Sequence, residues 1–350
     1  MICNTNTLIQ FAEKVCLAAG LSPREAELFS RSLVYADMRG LHSHGLMRMS
    51  TYIKRIQTHL IDVNVEPIIT RDASSLLAID GQNGLGVCVG QRVMELCVER
   101  AEKTGVCFGA VRNCNHFGYA EFFTRYASDH HMIGFAVANS PKAVAPFGGA
   151  RPMFGTNPLS ITIPSGGDIP YALDMATSLA AQGKVILARK EGREVPLGWG
   201  LDAQGNQTTN PDAILSGGTL LPFGGPKGYG IILAIEIFCA CLAGGEKSTT
   251  MGSMYGEPRK QGTGFVIGAI NVGKLVDADE FELSVEQLLQ QIKNSPKSAG
   301  TEEIFSPGEI EARKFRQAEQ EGIELSDVVL DELAQLGQEF HTAFPYASHA

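Results

Sequence analysis

Residues 39–48, RGLHSHGLMR, place side chains that can move a proton beside one that can hold an anion. An imidazole such as that of His44 has an unperturbed pKa near neutrality, so it can give or take one proton during a reaction. Arg48, four residues further on, shares a face with His44 if a helix starts here. Its guanidinium can grip a carboxylate through two parallel hydrogen bonds. Reduction of a 2-oxo acid needs this pair: a carboxylate anchor, a proton for the carbonyl oxygen, and access for a hydride from the far side. Two other readings remain open. His42-x-His44 is half of a metal site only if further ligands are in reach, and the other histidines show no H-E-x-x-H or cysteine-rich spacing, so no metal is expected. The stretch also reads as a plain polar connection between helices.

Three further segments carry chemistry. RNCNHFGYAEFF (112–123) puts Asn115 and His116 in a loop that follows a strand and opens a helix, where α/β proteins keep ligand groups. Asp174, in LDMATS, ends an apolar strand, and a carboxylate there is costly to bury unless paired, which makes it a possible orienting partner for a histidine. PFGGPKGYG (222–230) runs into a helix, so its backbone N–H groups and Lys227 suit a phosphate or carboxylate; a simple helix-start turn is the competing reading. DGQNGLGVCVGQ (80–91) has a G-x-G-x-x-x-G pattern between a strand and a helix, but its last glycine is misplaced for the dinucleotide fingerprint, and a tight turn explains it as well.

These segments must be held by a chain of 350 residues, long enough for two domains. Hydrophobic residues make up 44% and charged residues 19%, an ordinary globular balance. A net charge of −9 excludes nucleic acid and anionic membrane as main partners, since both call for a basic face. The eight cysteines form no C-x-x-C pair and sit mostly in apolar runs, where reduced thiols act as small hydrophobes. The N-terminus lacks the pattern of a signal peptide, and the longest apolar run (231–243) is too short to span a bilayer, so a cytoplasmic protein is expected. Helices are predicted over 5–18, 23–39 and 46–57, the second opened by a capping box from Ser22 to Glu25. From residue 75 strands and helices alternate: SLLAID, VCFGAVRN, MIGFAVANS, NPLSITIPS, YALDMAT and GTGFVIGAINV read as strands. GYGIILAIEIFCACLAGG reads as a buried helix, 291–303 as a polar loop, and the tail as helical. The class expected is α/β, a mixed core flanked by helices from both chain ends.

Taken together, the blocks ADMRGLHSHGLMR, NHFGYA, APFGGARPMFGTNPLSI, LDMATS, QGKV, PLGWGLDAQGNQTTNP, LPFGGPKGYG and SPGE resemble the type-2 malate/L-lactate dehydrogenase family, in the family's order over about residues 36–309. That family also includes ureidoglycolate and sulfolactate dehydrogenases, diketogulonate reductases and reductases of cyclic 2-imino carboxylates. The resemblance implies an oxidoreductase using NAD or NADP, a non-Rossmann mixed-sheet cofactor domain, a small carboxylate substrate, and a homodimer with its site near the subunit boundary. Residues 1–120 joined by 260–350 would form the substrate side, with 121–259 an inserted cofactor domain. By the same resemblance His44 is the general acid in reduction, supported by Ser43 and Asp174, while Arg48 holds the substrate carboxylate beside Thr156 and Asn157. Cofactor contacts would come from His116, Phe117, Gly118, Tyr119 and Ala120, from Ser140, and from Asp174, Met175, Ala176, Thr177 and Ser178. Lys227, Gly228, Pro307, Gly308 and Glu309 would complete them. His116 is catalytic in some branches, so it carries either role. The NHFGYA block looks more like malate/lactate-type members than the ureidoglycolate branch. A nucleotide-binding sensor on the same fold is the non-enzymatic alternative.

Overall fold

A computed structural model describes residues 1–256 and 258–345. Strand β1 (Ile2–Cys3) leads into α1 (Thr5–Ala18) and α2 (Pro23–Met38), and α3 (Met49–Gln57) follows the RGLHSHGLMR stretch. Ser22 caps α2 by accepting the Glu25 amide at 3.3 Å. The reciprocal half of the predicted capping box does not form. Asn64 takes both remaining partners: its backbone N–H donates to the Glu25 carboxylate at 2.8 Å, and its side-chain oxygen accepts the Ser22 amide.

The α/β part contains β2 (Ile68–Asp72), β3 (Leu76–Asp80), α4 (Gly86–Thr104), β4 (Val106–Cys114), α5 (Glu121–Ser128), β5 (Met132–Ala138), β6 (Leu159–Ile163) and β7 (Tyr171–Met175). Then come α6 (Gln182–Lys190), β8 (Gly200–Leu201), α7 (Pro211–Leu215), β9 (Thr219–Leu220), α8 (Pro226–Glu236) and β10 (Thr263–Asn271). The chain closes with α9 (Ala278–Lys293), α10 (Glu309–Glu321), β11 (Ile323–Glu324) and α11 (Asp327–Glu339). One sheet runs β2-β3-β4-β10-β5-β6-β7. Only β3 and β4, joined by α4 in line with the expected alternation of strands and helices, are parallel; the other pairs in this sheet are antiparallel. Such a mixed sheet is not a Rossmann fold.

Strand β10 arrives from far along the chain and sits centrally. Its first seven residues are all buried, as a strand covered on both faces requires. Helices α4 and α5 cover one face over a core that includes Val93, Cys97, Phe123 and Phe265. The other face packs Val137 and Val266 against Ile235 and Cys239. Helices α1, α2, α3 and α11 enclose a separate cluster around Phe11, Phe29, Tyr52 and Leu333, built from both chain ends. Strands β5 to β7, from the segment expected as an inserted domain, extend the common sheet through β10, whereas Val144, Val185, Ile214 and Ile232 form a cluster of their own.

The apolar run 231–243 differs from its expectation as a buried helix. It is α-helical only to Glu236, widens into a π turn at Ile237–Leu242, and leaves Ile237, Phe238 and Leu242 exposed. Helix α9 is absent from the sequence-based expectation although Phe281, Val285, Leu288, Leu289 and Ile292 recur at helical spacing; none of its residues is fully buried within one chain.

Candidate active site

The opening stretch is not one helix. His42–His44 and Leu46–Arg48 are two 3₁₀ turns separated by Gly45 in an extended conformation (φ −91°, ψ −154°). The cause lies in α2. Asp37, buried near its end, accepts the Leu46 amide at 2.7 Å and bonds His42 Nδ1 at 2.8 Å. A Cβ on Gly45 would lie 2.2 Å from that carboxyl group, so only glycine lets the loop close over it. His42 and His44 therefore engage different partners, because His44 Nδ1 meets the Ser43 hydroxyl at 3.0 Å. Among the described residues, no group of three or more His, Cys, Asp or Glu side chains is placed to hold a metal. Arg48 Nε donates to the Ser43 carbonyl at 2.6 Å. Its Nη1 reaches the Met254 sulfur at 3.6 Å, and its guanidinium lies over the Tyr255 ring at 5.2 Å. His44 and Arg48 thus meet through the turned loop rather than through helical spacing.

His116 joins them. Its ring lies nearly parallel to that of His44, with centroids 5.9 Å apart and planes at 21°. The Tyr52 hydroxyl is hydrogen-bonded to His116 Nδ1, and the His116 backbone N–H donates to the Gln261 side chain at 3.0 Å. Gly86 has a structural task here: a Cβ on it would sit 2.2 Å from the His116 carbonyl oxygen, so the start of α4 packs against this loop. Burial, with the Arg48 charge added, pushes His44 down to about 4. Burial, Arg48 and His44 together hold His116 well below its ordinary value. Both rings are neutral at neutral pH and able to accept a proton.

The other predicted residues form two groups. In the first, the Ser140 hydroxyl accepts the Thr156 amide at 3.0 Å, and the Ser140 amide donates to Asn157 Oδ1 at 3.1 Å. Thr177 donates its backbone N–H to the Thr156 carbonyl at 2.8 Å, and the Phe223 amide donates to the Thr177 carbonyl at 3.1 Å. Ser178 forms a bridge with Pro222, which ties this wall to the start of α8. There Lys227 is exposed, and a Cβ on Gly228 would meet the Phe223 carbonyl oxygen at 1.8 Å.

In the second group, Asp174 accepts the Glu121 amide at 2.6 Å. Glu121 also receives the Tyr119 hydroxyl and an ion pair from Arg39 at 2.6 Å. Burial, then the Glu121 charge, raises Asp174 to about 8. Tyr119, Asp174, Pro307 and Gly308 line a cavity of about 330 Å³, with Arg39 and Glu311 at its wall. The hydrogen bond of Asp174 goes to Glu121, and the group on His44 Nδ1 is the Ser43 hydroxyl. Some expected contacts are engaged elsewhere. Phe117 is buried between the Phe123 and Phe265 rings, and Ala120 is buried beside it. Glu309 is held by Lys293 at 2.6 Å and Arg313 at 2.7 Å. Met175 and Ala176, both partly exposed, lie in the chain between the two groups, and Gly118 takes a positive φ of 81°. The open glycine turn at the start of α8 and the exposed Lys227 within it suit an anionic group such as a phosphate of a dinucleotide.

The sequence model described as malate/L-lactate dehydrogenase matches residues 3–334. The chain belongs to that family. The malate dehydrogenase of Pyrococcus abyssi is 34% identical to this family member over 338 residues, 95% of this chain and 92% of the relative. The L-sulfolactate dehydrogenase of Methanocaldococcus jannaschii is 36% identical over 320 residues, 91% of this chain and 92% of the relative. The crystal structure of malate dehydrogenase from Entamoeba histolytica superposes with a TM-score of 0.95 at 29% identity, over 99% of each chain. This malate/L-lactate dehydrogenase family member is accordingly an NAD(P)-dependent oxidoreductase of hydroxy acids.

Sequence reasoning missed several residues of the site. Tyr52 carried a signal, one helical turn after Arg48 in RMSTY. Asp37, Gln261, Met254, Tyr255 and the Arg39–Glu121 pair carried none, because their partners are remote in sequence or depend on a turn.

Proposed function

We propose that this protein interconverts a small 2-hydroxy and 2-oxo carboxylate of malate or lactate type. The observation that carries this reading is one guanidinium, Arg48, beside two neutral imidazoles, His44 and His116. NAD or NADP, when bound, takes up or supplies the hydride. Ser140, Thr156, Thr177, Ser178 and Lys227 would hold it on one side, and Tyr119, Asp174, Pro307 and Gly308 on the other. Arg48 grips the substrate carboxylate and fixes C2, the positioning part of catalysis. In oxidation, neutral His44 accepts the hydroxyl proton while the Ser43 hydroxyl holds its Nδ1. In reduction, the substrate carboxylate offsets the Arg48 charge, which favours the protonated imidazole that donates to the carbonyl oxygen. His116, braced by Tyr52, lines the same space and limits the ring positions open to His44.

The reading extends to a cytoplasmic homodimer. Exposed Ile237, Phe238 and Leu242 after α8, with Leu283, Leu288 and Ile292 on α9, are apolar surface that a second copy would cover. The experiment is consumption of NADH and NADPH against a panel of 2-oxo acids, with cyclic 2-imino carboxylates included. Turnover of a 2-oxo acid is expected. Turnover of the imino acids alone would move the chain to that branch, and cofactor binding with silence across the panel would favour a sensor.

A further inference from the structure

Glu236 is the last residue of α8, inside an apolar run, with 9% of its surface exposed. A carboxylate there is costly unless its oxygens are hydrogen-bonded. They are. Oε1 accepts the Ser248 amide at 2.7 Å, and Oε2 accepts the Ser248 hydroxyl at 2.7 Å and Asn157 Nδ2 at 3.0 Å. Asn157 Oδ1 in turn accepts the Ser140 amide, and the Ser248 hydroxyl oxygen accepts the Gly155 amide at 3.1 Å. Gly155 lies so close to Ser140 that a Cβ would be 2.2 Å from the Ser140 carbonyl oxygen. The result is a closed ring of five residues, in which Asn157 and Ser248 are fully buried. It holds Asn157 at a positive φ of 28° and presents Thr156 to both Ser140 and Thr177. The helix changes to the π turn immediately after Glu236, a departure that recurs at functional sites.

We propose that Glu236 is a positioning residue for dinucleotide binding, which it sets through Asn157 and Ser248 by fixing the wall of Ser140, Thr156 and Thr177. This rests on the reading of that wall as part of the cofactor site. All described donors to Glu236 are neutral, so the polarity of the ring, rather than an ion pair, defines the geometry.

Glu236→Gln tests it, because whichever way the new amide turns, an NH₂ group faces Asn157 Nδ2 or the Ser248 amide. The Kd for NADH or NADPH, read by fluorescence titration, should rise about tenfold or more, the scale of a lost hydrogen bond to a charged group. Adding Asn157→Asp to Glu236→Gln turns the ring around at this corner: the new amide donates to the new carboxylate and to the Ser248 hydroxyl oxygen, the other carboxylate oxygen still accepts from Ser140, and only the long 3.5 Å bond from Asn157 Nδ2 to the Ile232 carbonyl is lost. The double variant should recover most of the lost affinity, which a merely structural role would not produce. Wild-type affinity in Glu236→Gln, or no recovery in the double variant, overturns the inference. If Glu236→Gln does not fold, Ser248→Ala carries the test, with a several-fold rise expected and an unchanged Kd overturning it. Lys227→Ala separates the underlying reading: if it binds cofactor normally along with Glu236→Gln, the wall itself is misassigned, whereas weakening by Lys227→Ala alone leaves the wall standing and removes Glu236.

Discussion

At the residue scale, two stacked imidazoles beside a guanidinium set the chemistry. A general acid/base contributes about 10²–10⁴ in rate, so His44→Ala should lower kcat by that factor in a substrate-panel assay while cofactor titrations change little. Near wild-type turnover would remove His44 from the mechanism. Arg48→Lys should raise KM by about tenfold or more, because a lysine cannot reproduce the two-pronged grip. An unchanged KM would place the substrate carboxylate elsewhere. Burial, aided by Arg48, lowers His44 to about 4, so its neutral, proton-accepting form persists far below the ordinary histidine range. The expected pH profile of kcat/KM for oxidation is flat through pH 6.5 and falls only as pH approaches about 4. A midpoint near 6.5 would show that the reacting group is not this half-buried imidazole. Residue types made this chemistry legible in RGLHSHGLMR, but the depression of both histidines was not, since it depends on desolvation by the folded chain and on His116 arriving beside His44 and Arg48.

At the scale of elements, Asp37 acts as a latch between α2 and the catalytic loop. Gly45→Ala would drive a methyl group into a carboxyl group that is itself buried. Overpacking of this kind destabilises by about 1–3 kcal/mol. Activity should fall further than stability, because His44 and Arg48 move with the loop; equal losses in thermal melts and kinetics would argue against the latch. The helical spacing of His44 and Arg48 predicted their proximity for a reason the fold does not use. Strand β7 and α5 meet through a second carboxylate, Asp174, whose folded pKa is raised to about 8 by burial and Glu121. A raised folded value favours the protonated native state, so its contribution is present at low pH and lost as pH rises through about 8. Asp174→Asn, which keeps the acceptor for the Glu121 amide, should therefore gain Tm over wild type at pH 9 and gain little at pH 5. Equal shifts at both pH values would show that Asp174 is ionised throughout.

At the scale of the whole molecule, the exposed apolar side chains of the π turn and α9 predict association. Leu242, 67% exposed, has no buried role within one chain. Leu242→Asp should shift the protein from dimer to monomer in sedimentation, with cofactor affinity reduced if the site adjoins the boundary. A wild-type monomer would refute the arrangement. The sequence by itself determined six of the seven strands of the main sheet, several helices and the residue types of the site, because periodicity, caps and side-chain chemistry are local; the exposed edge strand β2 and the two-residue strands β1, β8, β9 and β11 offer no such pattern. The ordered blocks further implied the family. Only the tertiary structure decided which groups meet. It brought β10 into the middle of the sheet, His116 against His44, Asp174 against Glu121 rather than His44, and Glu236 beneath Asn157. These are long-range pairings set by buried partners and by close backbone approach at Gly45, Gly86 and Gly155. No spacing along the chain encodes them.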